Sequence, residues 1–167
     1  MAENLNQYDE KCCSRCYDGR SSLDCTKYGR FYDWTLAKTL CPTGWHLPTQ
    51  AEWQELFDFV EEDSKCTSCA GSKLKATSGW KITVSIWDII DENGTDDYGF
   101  SALPGGRSNA LGFQYLDERG YWWSITDDEG DPTYRAYFSS ISNDGGYYTD
   151  IPYDKQQMLP VRCVKDF

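Results

Sequence analysis

Histidine occurs once in the 167 residues and methionine twice, and no apolar run approaches the roughly 20 residues that a membrane-spanning helix requires. A Ser-His-Asp relay would have to be built on that one imidazole, His46, which leaves an enzyme of this class short of parts. Basic residues are also scarce. Sixteen Lys and Arg stand against 27 Asp and Glu, a formal net charge of −11. That balance repels phosphate backbones and anionic lipid, and no basic stripe overrides it, so neither a nucleic-acid partner nor direct membrane insertion is expected. No internal period of about 20 to 50 residues recurs, which removes repeat architectures.

What the chain does have is aromatic rings and cysteine. Aromatics make up 16% of it, with 12 Tyr and 7 Trp, so rings must fill much of the core of a single domain spanning residues 1–167. The cysteines stand at 12, 13, 16, 25, 41, 66, 69 and 163, an even set in an acidic, loop-rich chain that an oxidising compartment would keep as disulfides. The competing reading joins Cys13-x-x-Cys16 to Cys66-x-x-Cys69 as a four-thiolate zinc site, but the additional Cys12, Cys25, Cys41 and Cys163 fit disulfides better. Met1 opens onto polar "AENLNQ" with no signal-like stretch. The expectation is an extracellular or bacterial cell-surface protein whose export signal lies outside this sequence.

Along the chain, "RFYDW" (30–34) has strand composition and "TLAKTL" (35–40) reads as a short helix capped by Thr35. Thr49 and Glu52 stand in capping-box spacing, and Trp53, Leu56, Phe57 and Val60 follow at i, i+3, i+4 and i+7, so a helix starts at Thr49 with one apolar face. Beyond residue 70 come short strand-like pieces, "SKLKA", "FSAL", "GFQYL", "GYWWSIT", "TYRAYFSSI", "GYYTD" and "LPVRCVKD", cut by Gly-, Asn- and Asp-rich turns. The predicted class is α+β, with two short helices in the N-terminal half and a twisted antiparallel sheet with long loops.

The segments "MAENLNQ", "SRCYDGRSSLDCTKYGRFYDW", "CPTGWHLPTQAEWQELFDFV", "GSKLKATSGW", "NGTDDYGFSALPGGRS", "GYWWSIT" and "LPVRCVKD" stand in an order that resembles the Fibrobacter succinogenes major paralogous domain over nearly the whole chain. That family looks like an offshoot of the C-type lectin-like superfamily, which also holds the formylglycine-generating enzyme. The resemblance implies a C-type lectin-like fold in an exported or surface-attached bacterial protein, with a further strand before "MAENLN". Leu159-Pro160 departs from the family's aromatic-Ser. The resemblance further implies a bridge between Cys41 and Cys163 and another between Cys16 and Cys25. Cys12, Cys13, Cys66 and Cys69 then allow three pairings, of which two bonds across from 12/13 to 66/69 are expected over a vicinal pair. The iron-binding and formylglycine-generating relatives need several histidines or a late reactive cysteine pair, and neither is present after Cys69.

Four candidate sites remain. His46, between Trp45 and Leu47 and just before the capped helix, reads as a hydrogen-bonded structural residue. In "DENGTDD" (91–97) the expected structure is an Asn93-Gly94 turn; the alternative, kept in view by the calcium-holding loops of lectin-like folds, is a calcium site on Asn93, Asp96 and Asp97, the cofactor the chain could take. In "YWW" (121–123) Trp122 points opposite to Tyr121 and Trp123, and core filling is expected of the pair. Residues 132–157 concentrate Tyr, Ser, Asn, Asp and Gly, a mixture suited to adaptable recognition. In lectin-like folds this late region forms the ligand face, and in some relatives retroelements diversify it. The expected function is therefore non-catalytic binding of a glycan or surface protein through Tyr134, Arg135, Tyr137, Asn143, Asp144, Tyr147 and Tyr148. The alternatives are a retroelement-diversified receptor, a carbohydrate-active hydrolase using paired carboxylates, and a purely structural surface module.

Overall fold

The protein is described by a computed structural model over residues 3–7, 14–16, 22–84, 86 and 88–166, with only the backbone given at 22–24, 148 and 150. In chain order, β1 (Ser14–Arg15), α1 (Ser22–Tyr28), β2 (Phe31–Tyr32), α2 (Trp34–Ala37) and β3 (Trp45–His46) precede the long helix α3 (Gln50–Ser64). After α4 (Ala70–Leu74) come β4 (Ile82–Val84), β5 (Ile89–Asp91), β6 (Arg107–Asn109) and β7 (Gly112–Gln114), then the long strands β8 (Arg119–Asp127), β9 (Arg135–Ser142) and β10 (Tyr147–Asp154), and finally β11 (Val164–Lys165). Among the described residues this is an α+β arrangement of four helices and small antiparallel sheets: one of three strands in the order β10-β9-β8, and two-stranded pairs β1-β2, β3-β11, β4-β5 and β6-β7.

Local chemistry sets the helices. Thr49 Oγ1 accepts from the Glu52 amide at 3.1 Å and Glu52 Oε2 accepts from the Thr49 amide at 2.8 Å, so the predicted capping box closes and α3 starts where its spacing says. Trp53, Phe57 and Val60 of its apolar face are buried. The cap of α2 is Asp33 instead of Thr35: its Oδ1 accepts from Leu36 N at 2.8 Å, which moves the helix start two residues toward the N-terminus. "SKLKA" is not a strand, because Ser72 to Leu74 belong to α4, where Ala70 and Leu74 bury against α3. "LPVRCVKD" keeps only β11 as regular strand. Pro160 has no N–H for a ladder, so Leu159 and Met158 make isolated bridges to Tyr32 and Ser108.

The three-stranded sheet divides two cores. Tyr121 and Trp123 face one side, with Tyr32, Trp34, Leu47, Phe138, Leu159 and Val161; Trp122 faces the other, with Trp53, Phe57, Leu74, Trp80 and Ile141. Trp122 and Trp123 are both fully buried, as expected of core fillers. Each buried indole N–H has an acceptor: Ser124 O for Trp34, Trp123 O for Trp53, Ala102 O for Trp80, Asn4 Oδ1 for Trp122 and Tyr32 O for Trp123.

Among the described residues three disulfides complete the frame. Cys41–Cys163 spans 122 residues with Cα atoms 5.8 Å apart, beside the β3-β11 pair, and Cys16–Cys25 joins β1 to α1. Cys66 pairs with Cys69 across a three-residue separation, Cα to Cα 6.0 Å. The two cross bonds expected from Cys12 and Cys13 to these cysteines are therefore not formed, since α3 and α4 bring 66 and 69 to each other; Cys12 and Cys13 themselves lie outside the described residues. With Cys16 and Cys66 both committed, the four-thiolate zinc alternative loses its ligands. No helix among the described residues is long and apolar enough to cross a membrane.

Candidate functional site

His46 stands where β3 meets the start of α3. Its Nδ1 lies 2.6 Å from Asp166 Oδ1 and its Nε2 2.8 Å from Glu52 Oε1, so the protonated imidazolium donates to a carboxylate of the frame from each ring nitrogen. The bond to Asp166, then that to Glu52, raises the imidazole pKa. Burial pushes the Glu52 carboxyl up, but the Thr49 amide, His46 and the Thr49 hydroxyl together hold it below its usual range. His46 thus links the start of α3 to the residue after β11.

In the 91–97 segment, each side chain considered for calcium has a protein partner. Asn93 Oδ1 accepts from Trp80 N at 2.9 Å, Asp96 accepts from Ser101 N at 2.6 Å and from Ser101 Oγ, and Asp97 pairs with Lys73 at 2.5 Å. Gly94 makes no hairpin turn. A Cβ there would meet Lys75 O at 2.2 Å, so glycine is needed for close backbone approach. Among the described residues no three His, Cys, Asp or Glu side chains converge as a metal site.

The seven residues expected to bind ligand separate along β9, whose eight residues span roughly 25 Å. At one end, Asn143 ties the β9-β10 turn to the body and Asp144 closes the turn on itself. Lys75, buried and beneath the influence of the Trp80 ring 4.9 Å away, donates to Asn143 O and Glu92 O at 2.5 Å each; Asn143 Nδ2 donates to Glu92 Oε2 at 2.5 Å. Asp144 accepts from the Ser142 hydroxyl and from Gly146 N, and those two bonds hold its carboxyl below the usual range. Tyr147 stacks on Phe57 of α3, ring centroids 4.1 Å apart and 13° from parallel. Its ring belongs to the core edge, and burial raises its phenol. Tyr137, half-buried, sits mid-strand opposite Pro152. The Tyr148 side chain lies outside the described residues.

Tyr134 and Arg135 occupy the other end, and both are exposed. Tyr134 is 66% exposed and stands between two grooves that share it and Asp154. The larger, about 660 Å³, is lined by Asp131, Arg135, Ile151, Pro152, Tyr153 and Gln157 as well. Gln157 Oε1 is buried without a hydrogen-bond partner among the described residues. The smaller, about 400 Å³, runs past Asp33, Thr35, Thr133, Lys155 and Gln156. Lys155 fixes that wall: its ammonium lies 3.9 Å from the Trp34 ring centre, pairs with Asp127 and donates to Pro132 O at 2.5 Å. An open ring flanked by carboxylates, an amide and a guanidinium can stack on an apolar face and bond hydroxyls or amides beside it. Composition singled out Tyr134 and Arg135 by name and Asp154 and Gln157 only as part of the 132–157 segment; Asp131 lies just outside it, and the cross-strand pairing of Arg135 with Asp154 is a tertiary fact without a local signal.

The family model of the Fibrobacter succinogenes major domain matches residues 1–165. The chain belongs to that family. No curated protein and no solved structure matches it. In this major-domain chain a third hollow, about 460 Å³, is lined by Arg162 among others, but the guanidinium is spent on the frame: Nε donates to Asn4 Oδ1 at 2.8 Å, Nη1 to Phe100 O and Nη2 to Ser101 O at 3.1 Å. Burial lowers its pKa to about 9, opposed by Asp96 and Glu3.

Proposed function

We propose that this protein is a non-catalytic, exported recognition domain of C-type lectin-like fold that holds a glycan or a surface protein at the Tyr134 corner. The observation that carries this reading is Tyr134 itself, a 66% exposed ring shared by two adjoining grooves. A ring left open to water beside Arg135, Asp131 and Asp154 offers a stacking platform with hydrogen-bonding groups on its flanks, the chemistry that sugars and polar peptide loops both use. Support for export comes from the three disulfides, which an oxidising compartment maintains. Support for the lectin-like frame comes from the bridge and strand pair that tie the entry to α3 to the last strand. Support for a non-catalytic role comes from His46, both of whose nitrogens serve carboxylates of the frame.

Glycan-array and surface-protein pull-down measurements on the intact protein and on Tyr134→Ala and Arg135→Ala test the site. The expected result is a loss of roughly tenfold or more in retained ligand, with unfolding shifted by no more than about 0.5 kcal/mol because both residues are exposed. Unchanged binding in both variants rejects this corner, and a shortened glycan in the reaction mixture rejects the non-catalytic reading.

A further inference from the structure

The β4-β5 hairpin stands outside both cores and is apolar where water meets it. Ile82 is 55% exposed, Val84 70%, Ile89 66% and Ile90 51%, and Ile86 in the connection is 88% exposed. The register sets Val84 opposite Ile89 and Ile82 opposite Asp91, so Ile82, Val84 and Ile89 share one face of the ribbon. The ribbon has two strands only, and neither outer edge pairs with another strand among the described residues. A two-stranded ribbon is marginal in water until a third strand or a cover is added, and contiguous exposed aliphatic surface usually marks an interaction site.

Charge selects the occupant. Residues 81–92 carry Asp88, Asp91 and Glu92 against Lys81, and Lys81 is already paired with Glu118 at 3.0 Å. A second copy would bring the same acids against their own counterparts, within a chain of net charge −11. We propose that the β4-β5 hairpin accepts an extended segment of a partner protein in which apolar residues alternate with Lys or Arg, added as a third strand. Main-chain hydrogen bonds along the free edge supply affinity; the partner's apolar side chains cover Ile82, Val84 and Ile89, and its cations fall on the other face of the ribbon, the side of Glu92. This surface is separate from the Tyr134 corner, so either can fail alone.

The test uses the intact protein and synthetic octapeptides: alternating Lys-Val, alternating Glu-Val, and a Lys-Val version with every second backbone amide methylated. Amide hydrogen exchange should slow through residues 81–92 with the Lys-Val peptide alone. The Val84→Asp/Ile89→Asp double variant should weaken that binding roughly tenfold or more. The methylated peptide makes the same point on unaltered protein, since it keeps the side chains and loses the donors. Equal binding of the Glu-Val or methylated peptide overturns the proposal, as does protection confined to residues 131–157. Concentration-dependent self-association, or adsorption to phosphatidylcholine vesicles, that the double variant abolishes while the Lys-Val peptide fails to bind would assign the surface to a second copy or to lipid and overturn it as well.

Discussion

The imidazole of His46 touches two carboxylates that come from opposite parts of the chain, Glu52 in the first turn of α3 and Asp166 just after β11. Its pH behaviour follows from the directions of the shifts. A raised His46 pKa means that its contribution is complete below the ordinary 6.5 and fades as pH climbs through the folded value; a lowered Glu52 pKa means that its contribution is complete above 4.5 and fades as pH falls through the folded value. His46→Ala should therefore lower stability most between pH 4.5 and 6.5 and progressively less above it, with a maximum effect of about 1 kcal/mol because the side chain is one-third exposed. Urea melts of both proteins across pH 4 to 9 check this, and a difference that grows with rising pH would contradict it. At this scale the sequence was informative about type and silent about place. That His46 is structural follows from its position before a capped helix, whereas nothing in "SNDGGYY" says that Asn143 would bond Glu92 through its side chain and Lys75 through its carbonyl while Asp144 closes on Ser142 and Gly146.

Elements whose local signals agree with their surroundings were legible. The capping box and the 3-4 spacing of Trp53, Leu56, Phe57 and Val60 specify α3, and the alternation in "GYWWSIT" specifies β8 with Trp122 and Trp123 on opposite faces. α4 was not legible, because "SKLKA" has no cap and its helix exists to seat Ala70 and Leu74 on α3. The β4-β5 hairpin was left out although Ile82 and Val84 alternate as strand residues do, and the face they share is open to water, not buried. The packing of α4 on the β9-β10 turn is close enough to test. A Cβ on Gly71 would lie 2.1 Å from Gly145 O, and both partners are backbone. Gly71→Ala should cost about 1 to 3 kcal/mol by forcing the turn outward. Equilibrium urea denaturation measures this, and a variant as stable as the parent would show that the turn yields freely.

For the whole molecule, closure depends on the bond between Cys41 and Cys163. Joining positions 122 residues apart removes much of the freedom of the unfolded chain, worth roughly 4 to 5 kcal/mol in the loop-entropy model, against about 2 kcal/mol or less for the three-residue Cys66–Cys69 loop. Paired serine substitutions at 41 and 163 should thus lower unfolding free energy by at least twice as much as paired serines at 66 and 69. Chemical denaturation of the two double variants gives the comparison, and equal losses would mean that the long bridge closes a contact already made in the unfolded state. The sheet between the two cores adds a mechanical consequence. Trp122 and Trp123 are chain neighbours that anchor opposite compartments. Pulling one indole out of its seat drags the adjoining peptide, so neither half can loosen in isolation; the partition that separates the two interiors is also the hinge pin that makes them yield together.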